Sequence, residues 1–186
     1  MKRLLGGLLM LVALTFAAPV SQAKDMQGKF GLGYVCTLGG VPGLDIQYYV
    51  NRFIGLEAVL GLDYVSASNL SPLAFKMSLG GRFNFARAKD ANLGVALRAN
   101  IGVTNSDYMK AKVAGATEGS VHFNIEIPLI AEYFLSNHFS IFTQFGLLLD
   151  FVPKKGAVLT NGAPDTTEVH FGLPALQGLL GATFWF

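Results

Sequence analysis

From Ser120 to Leu135 every odd position is apolar or aromatic (Val121, Phe123, Ile125, Ile127, Leu129, Ala131, Tyr133, Leu135), while the even ones include His122, Asn124, Glu126 and Glu132. A period of two held over that length defines a β-strand with two unlike faces; an α-helix would scatter the odd positions right round its circumference. The run is long for a soluble strand and natural for one that crosses a bilayer at a tilt. Leu73 to Ala86 repeats it, with Leu73, Phe75, Met77, Leu79, Phe83 and Phe85 opposite Lys76, Ser78, Arg82 and Asn84. Leu93, Val95, Leu97, Ile101 and Val103 do so again opposite Arg98 and Asn100. Charge falls mid-strand on one face, and the other face is almost wholly aliphatic or aromatic. A soluble barrel turns its charges outward; here the charged face belongs inside a narrow cylinder and the apolar face against lipid.

Eight such segments follow one another: Lys29 to Leu38, Leu44 to Val50, Phe53 to Val65, Leu73 to Ala86, Asn92 to Thr104, Ser120 to Leu135, Phe139 to Val152, and Val169 to Phe186. An even count suits a single-chain bacterial barrel. The expected fold is therefore all-β, an eight-stranded antiparallel up-and-down transmembrane β-barrel, whose closure leaves no edge and satisfies backbone groups that lipid cannot. Connectors alternate between tight (Asn51-Arg52, Arg87 to Asp90, Ser136 to His138) and longer (Ser66 to Pro72, Asn105 to Gly119, Pro153 to Glu168), apart from a compact first loop at Gly39 to Gly43. Short turns on the periplasmic side and long loops outside place both termini in the periplasm. Phe53, Phe85, Phe139, Phe184 and Phe186 would then form a periplasmic aromatic belt, and Tyr34, Tyr64, Phe123, Phe151 and Phe171 an outer one. Pro128 and Pro174 each remove a ladder donor, so a bulge or a wet interior contact is expected at both. The pattern of the last strand is weak near Gly172 and Gly178.

The front of the chain reads as an export signal. Lys2 and Arg3 precede the apolar run Leu4 to Ala18, and Ser21-Gln22-Ala23 supplies a small-residue exit, predicting cleavage after Ala23. Residues 1–23 are then a signal peptide and 24–186 one barrel domain. Loss of Lys2 and Arg3 from 14 basic residues leaves 12 against 12 acidic ones. A neutral mature chain has no basic field for nucleic acid. Its single cysteine, Cys36, excludes an internal disulfide and lies too far along for a lipoprotein anchor.

With its signal peptide, its eight amphipathic strands, the hairpin Glu132-Tyr133-Phe134-Leu135-Ser136-Asn137-His138-Phe139-Ser140 and the terminal Phe186, the chain resembles the small outer-membrane β-barrel family that includes the transmembrane domain of OmpA and the OmpX, Ail and OmpW proteins. The resemblance covers essentially the whole mature chain. It implies that Phe184 and Phe186 on the last strand are what the outer-membrane assembly machinery recognises. No carboxy-terminal peptidoglycan-binding domain is expected, unlike full-length OmpA.

Inside an eight-stranded barrel there is room for little more than side chains. Glu57, Arg98 and Glu126 should sit near mid-depth, with Lys76 above and Arg82 and Glu132 below. Buried ions at such spacing must pair or keep water, because desolvating one costs several kcal/mol. A salt-bridged plug with water pockets is the first expectation. An interior excess of acids keeps a small cation-selective path as the second. A lipopolysaccharide-modifying enzyme is the third, on His138 with Ser140 at the i, i+2 spacing of a base and nucleophile, or on His122 or His170 with Glu168. His138 and Ser140 fall at a periplasmic turn, however, and Ile141 follows the serine where the deacylase barrels carry an Asn. The chain is therefore read as no enzyme, without cofactor or metal ligands, its three histidines lacking any ligand spacing. Outside, Lys110, Lys112, Lys154 and Lys155 are candidates for lipopolysaccharide phosphates. Loops 105–119 and 153–168 could carry an extracellular ligand, Ser106 to Thr117 being long enough for a modest strand extension.

Overall fold

The structure is a computed structural model that describes residues 24–64, 70–112, 119–152, 166–172 and 180–186. The proposed signal peptide lies outside these, as do Val65, Pro174, Lys154 and Lys155 and the side chains of Lys112, Glu168, His170 and Phe171. In chain order come β1 (Phe30–Cys36), β2 (Pro42–Tyr49), β3 (Ile54–Tyr64), β4 (Leu73–Arg87), β5 (Ala91–Thr104), α1 (Ser106–Lys112), β6 (Ser120–Phe134), β7 (Phe139–Val152), β8 (Thr166–Gly172) and β9 (Leu180–Trp185). Each strand pairs antiparallel with the next up to β7, and β9 closes the cylinder between β7 and β1. This is the eight-walled up-and-down barrel that the alternation demands.

The ladder fixes its geometry. From Gly33 the cross-strand partners run through Asp45, Val59, Ser78, Asn100 and Asn124 to Asp150 on β7. Across the seam, Gly33 faces Thr183, and Thr183 faces Ser140 on the same strand. Asp150 and Ser140 are ten residues apart, which is the shear. With a rise of about 3.3 Å per residue and strands about 4.8 Å apart, eight strands at that shear tilt by about 41° and enclose a backbone cylinder about 16 Å across.

Faces are as the sequence requires. Leu62 is 72 % exposed and Leu180 71 %, whereas Arg98 is 1 % exposed and Glu126 fully buried. The expected belt residues Tyr34, Tyr64, Phe123, Phe53, Phe85, Phe139, Phe184 and Phe186 are all exposed. Short turns lie at one end, here the base, beside both termini of the described chain. At Asn51 the side-chain oxygen accepts from the N–H groups of Phe53 (2.8 Å) and Ile54 (2.9 Å), an Asx turn that reverses the chain in two residues. The opposite end is the rim.

Three expectations are corrected. The eighth wall is not one strand over Val169 to Phe186 but two: β8 lies against the rim half of β7 and β9 against its base half. Gly146 faces Gly172 while Thr143 faces Leu180, so three steps along β7 answer to eight along the returning chain, and one continuous ladder cannot absorb the difference. Of the bulge or wet interior contact expected at Pro128, the bulge is absent. The β5–β6 register is the same on either side of it, Val95 with Leu129 and Arg98 with Glu126, and the ladder only lacks the two pairs between them, beside the proline that has no N–H to give. The one register shift among the described residues lies elsewhere, between Asn84 and Ala86 on β4. Finally, Ser106 to Lys112 extends no strand; it turns into α1. Asn105 caps it, its side-chain oxygen accepting from the Tyr108 N–H at 2.8 Å, with Asp107 in the first turn.

Candidate functional site

The lumen is the only place where this chain gathers charge away from solvent among the described residues, and its contents are layered. At the base, residues 24–28 turn under the cylinder and seat Met26 against Tyr49, Phe134 and Trp185, all buried. The Tyr49 and Trp185 rings meet at 5.7 Å. Lys24 lies over the Phe134 ring at 4.3 Å and donates to the Ser136 carbonyl; partial burial pushes its ammonium below the ordinary lysine value.

Directly above is a ring of hydrogen bonds. Trp185 donates its indole N–H to Ser140 Oγ (2.8 Å), Ser140 donates to Glu132 (2.7 Å), and Glu132 pairs with Arg82 (2.7 Å). Arg82 Nε donates to Asn84 (2.9 Å), and Asn84 donates to Tyr49 Oη (2.8 Å). The circuit returns to the Tyr49–Trp185 ring contact and so braces β2, β4, β6, β7 and β9 at one level. An apolar layer of Val35, Val41, Val59, Ala96, Ile130 and Phe142 follows. Its presence departs from a wholly polar interior.

Arg98 holds the next level. It meets Glu57 through Nη2 (2.7 Å to Oε1, 2.9 Å to Oε2) and Nε (3.1 Å), and donates through Nη1 to Glu126 (2.8 Å) and Gln144 (2.7 Å). One guanidinium thus ties β3, β5, β6 and β7 with the fork geometry that suits carboxylates. Asp45 is also fully buried, yet makes no ion pair among the described residues; one oxygen accepts from Gln47 Nε2 at 2.6 Å and the other has no partner among them.

The rim side is filled by backbone. The β1–β2 loop bends into the cylinder, where the Gly39 N–H donates to Glu126 (2.7 Å) and Lys76 Nζ donates to the Gly40 carbonyl (2.8 Å). Gln144 donates to the Cys36 carbonyl at 2.8 Å. Gly40 takes φ +73°, and a Cβ on Gly39 would come within 2.2 Å of Asn124 Oδ1 and 2.4 Å of Asn100 Nδ2, so the tip passes only as glycine. The compact loop at Gly39 to Gly43 is therefore an inward plug.

The expected charges thus fall into two groups. Glu57, Arg98 and Glu126 meet, Arg82 meets Glu132, and Lys76 stands apart, reaching from β4 to the loop carbonyl of Gly40. Asp45, Gln144, Tyr49 and Trp185 were not anticipated; polar or aromatic residues on the inward parity of the strands were the available signal. His138 and Ser140 are not brought together. Ser140 faces the lumen, whereas exposed His138 holds the Trp185 carbonyl through Nδ1 (2.9 Å) and stacks on Phe184, because it belongs to the turn rather than the strand face. His122 Nε2 lies 2.7 Å from Asp150 Oδ1 near the rim. Lys110 stands 3.5 Å from Asp107 on α1 and is half exposed. Among the described residues no cluster of three or more His, Cys, Asp or Glu could hold a metal ion, and no helix is long and apolar enough to cross a membrane. No protein-family model matches the chain, and no curated protein matches it.

Proposed function

We propose that the chain is an integral outer-membrane β-barrel protein with a structural or surface-interaction role, its lumen closed by the Arg98 network and the β1–β2 loop. The carrying observation is the pairing of an exposed apolar wall with buried Arg82, Arg98, Glu126 and Glu132. Base and rim are then the periplasmic and outer ends. Phe184 and Phe186, exposed on the strand that closes the seam, suit recognition by the outer-membrane assembly machinery. Loops 105–119 and 153–168 would face outward with Lys110, Lys112, Lys154 and Lys155, where lipopolysaccharide phosphates or an extracellular ligand could meet them.

Conductance in a planar bilayer tests the closed lumen: the expected result is no steady openings from the folded protein. A narrow cation path is the second reading, supported among the described residues by four buried carboxylates (Asp45, Glu57, Glu126, Glu132) against two buried guanidiniums (Arg82, Arg98). Steady cation-selective openings that vanish in Glu126→Gln would favour it. Lipid modification has the least support, since His138 and Ser140 have different partners; an altered acyl pattern in lipopolysaccharide from cells carrying the protein would favour it.

A further inference from the structure

The outward side chains form rows that run from strand to strand along the ladder. One row is Ala86, Leu93, Ala131, Thr143 and Leu180, successive partners on β4, β5, β6, β7 and β9. The next row toward the rim is bulky, Phe83, Val95, Leu129 and Phe145. On the base side, Tyr133 and Ile141 stand as neighbours. The small members of the first row, Ala86, Ala131 and Thr143, leave a trough floored in part by Leu93, and a groove of about 680 Å³ lies there, with Tyr133, Ile141 and Leu180 also in its lining. Tyr133, Ile141 and Leu180 are exposed, so it opens outward.

The shear sets its course. Strands tilted by about 41° incline each cross-strand row by the same angle to the membrane plane. Four strand spacings give a trough about 19 Å long that rises about 12 Å, within the roughly 15 Å that one leaflet contributes to the hydrocarbon core. Because the ladder gains height from β4 to β7, the low end is at the β4–β5 turn, where Arg87 and Ala88 line the groove. That end of the barrel is cationic, with Lys24, Lys29, Arg52, Arg87 and Lys89 against Asp25 and Asp90. Arg52 and Arg87 lie over the exposed Phe53 ring at 5.0 and 5.5 Å, the depth at which aromatic belts meet headgroups.

We propose that this groove binds one acyl chain of an anionic phospholipid of the periplasmic leaflet, with the phosphate drawn to the basic end that carries Arg87 and Lys89. The inference rests on the outer-membrane reading. A groove of this volume is of the size that holds a small ligand, and its charged end lies where a headgroup must be if the chain follows the trough. A second copy fits less well, since two such basic ends on one face would repel.

Native mass spectrometry tests this on the refolded full mature chain, in mixed micelles with equal phosphatidylglycerol and phosphatidylcholine of identical chains. One retained lipid is expected, phosphatidylglycerol favoured roughly twenty-fivefold, since each of the two basic side chains near a surface gives about a fivefold preference for anionic lipid. Ala131→Phe, or Thr143→Phe should the first not fold, fills the trough and loses the retained lipid. Ala58→Phe on a distant part of the apolar wall keeps it. Arg87→Gln with Lys89→Gln keeps a lipid but loses the preference. Equal retention of both lipids by the wild type, unchanged retention in both trough-filling variants, or a lipid-free dimer would overturn the proposal. Insertion into vesicles and heat-dependent gel mobility are read on the same samples. A chain that does not insert removes the outer-membrane reading and this one together; one that inserts and retains no lipid removes this one alone.

Discussion

Replacing Arg98 with methionine should be the most damaging single change in the lumen. The guanidinium makes five hydrogen bonds, three to Glu57, one to Glu126 and one to Gln144. Both carboxylates are buried, and among the described residues Glu126 keeps the Gly39 N–H as its further partner. Methionine preserves much of the volume, so the loss is electrostatic rather than a cavity. Breaking one buried pair by removing one partner costs about 3 to 5 kcal/mol, because a charge is left without compensation. Two carboxylates are stranded here, so the upper end of that range is expected. Reversible urea unfolding in lipid vesicles, followed by Trp185 fluorescence and heat-dependent gel mobility, gives the change directly. The triple variant Arg98→Met, Glu57→Gln, Glu126→Gln removes the stranded charges and should recover all but about 1 to 2 kcal/mol, the cost of leaving neutral amides with fewer partners. A single variant that loses less than about 1 kcal/mol, or a triple no more stable than the single, would refute the reasoning.

Asp45→Asn should be neutral or stabilising in the same unfolding assay, since it removes a buried carboxyl that makes no ion pair among the described residues while an amide can still accept from Gln47; a loss of more than about 2 kcal/mol would show a hidden partner. Gly39→Val should expel the plug loop, because its Cβ meets the Asn100–Asn124 pair, bonded at 2.6 Å. Bilayer recordings should then show openings absent from the wild type, and silence would mean that the side chains alone seal the lumen. Gly146→Ala sets a Cβ 2.2 Å from the Ile127 carbonyl oxygen, a backbone atom that cannot swing aside; a loss of about 1 to 3 kcal/mol on unfolding is expected, and no loss would mean the strands part freely there. Phe184→Ala with Phe186→Ala should reduce the fraction of protein inserted in the outer membrane of cells while leaving in-vitro refolding intact, and equal insertion in cells would remove the assembly role.

The walls of the barrel were legible because charge sits mid-strand on one parity, as at Arg82, Arg98 and Glu126, and period two leaves that face only one side to go. The pairing of Arg98 with Glu57 and Glu126 followed from strand order and depth. The apolar layer inside was hidden, since Val35, Val59, Ile130 and Phe142 are the same residue types as the outer wall and only their parity differs. The plug was hidden too: Thr37 to Val41 carries no charge and reads as an ordinary turn, and only its partners on β4 and β6 reveal its direction. A signal for α1 was present in Asn105 followed by Asp107, a capping pattern outweighed by the strands on either side. The divided eighth wall was invisible because register is a property of two strands, and the excess of residues shows only against β7.

Nitroxide scanning along β6 tests the central claim most directly. With Cys36 replaced by serine, a single label is placed in turn from Val121 to Phe134 in protein refolded into vesicles, and its collisions with oxygen and with a water-soluble nickel complex are measured. Period-two accessibility is expected, with oxygen high at Phe123, Ile125, Ile127 and Leu129 and both quenchers low at Asn124, Glu126 and Ile130. High nickel access at the odd positions, or no periodicity, would contradict an apolar wall that faces lipid around a sealed and charged interior.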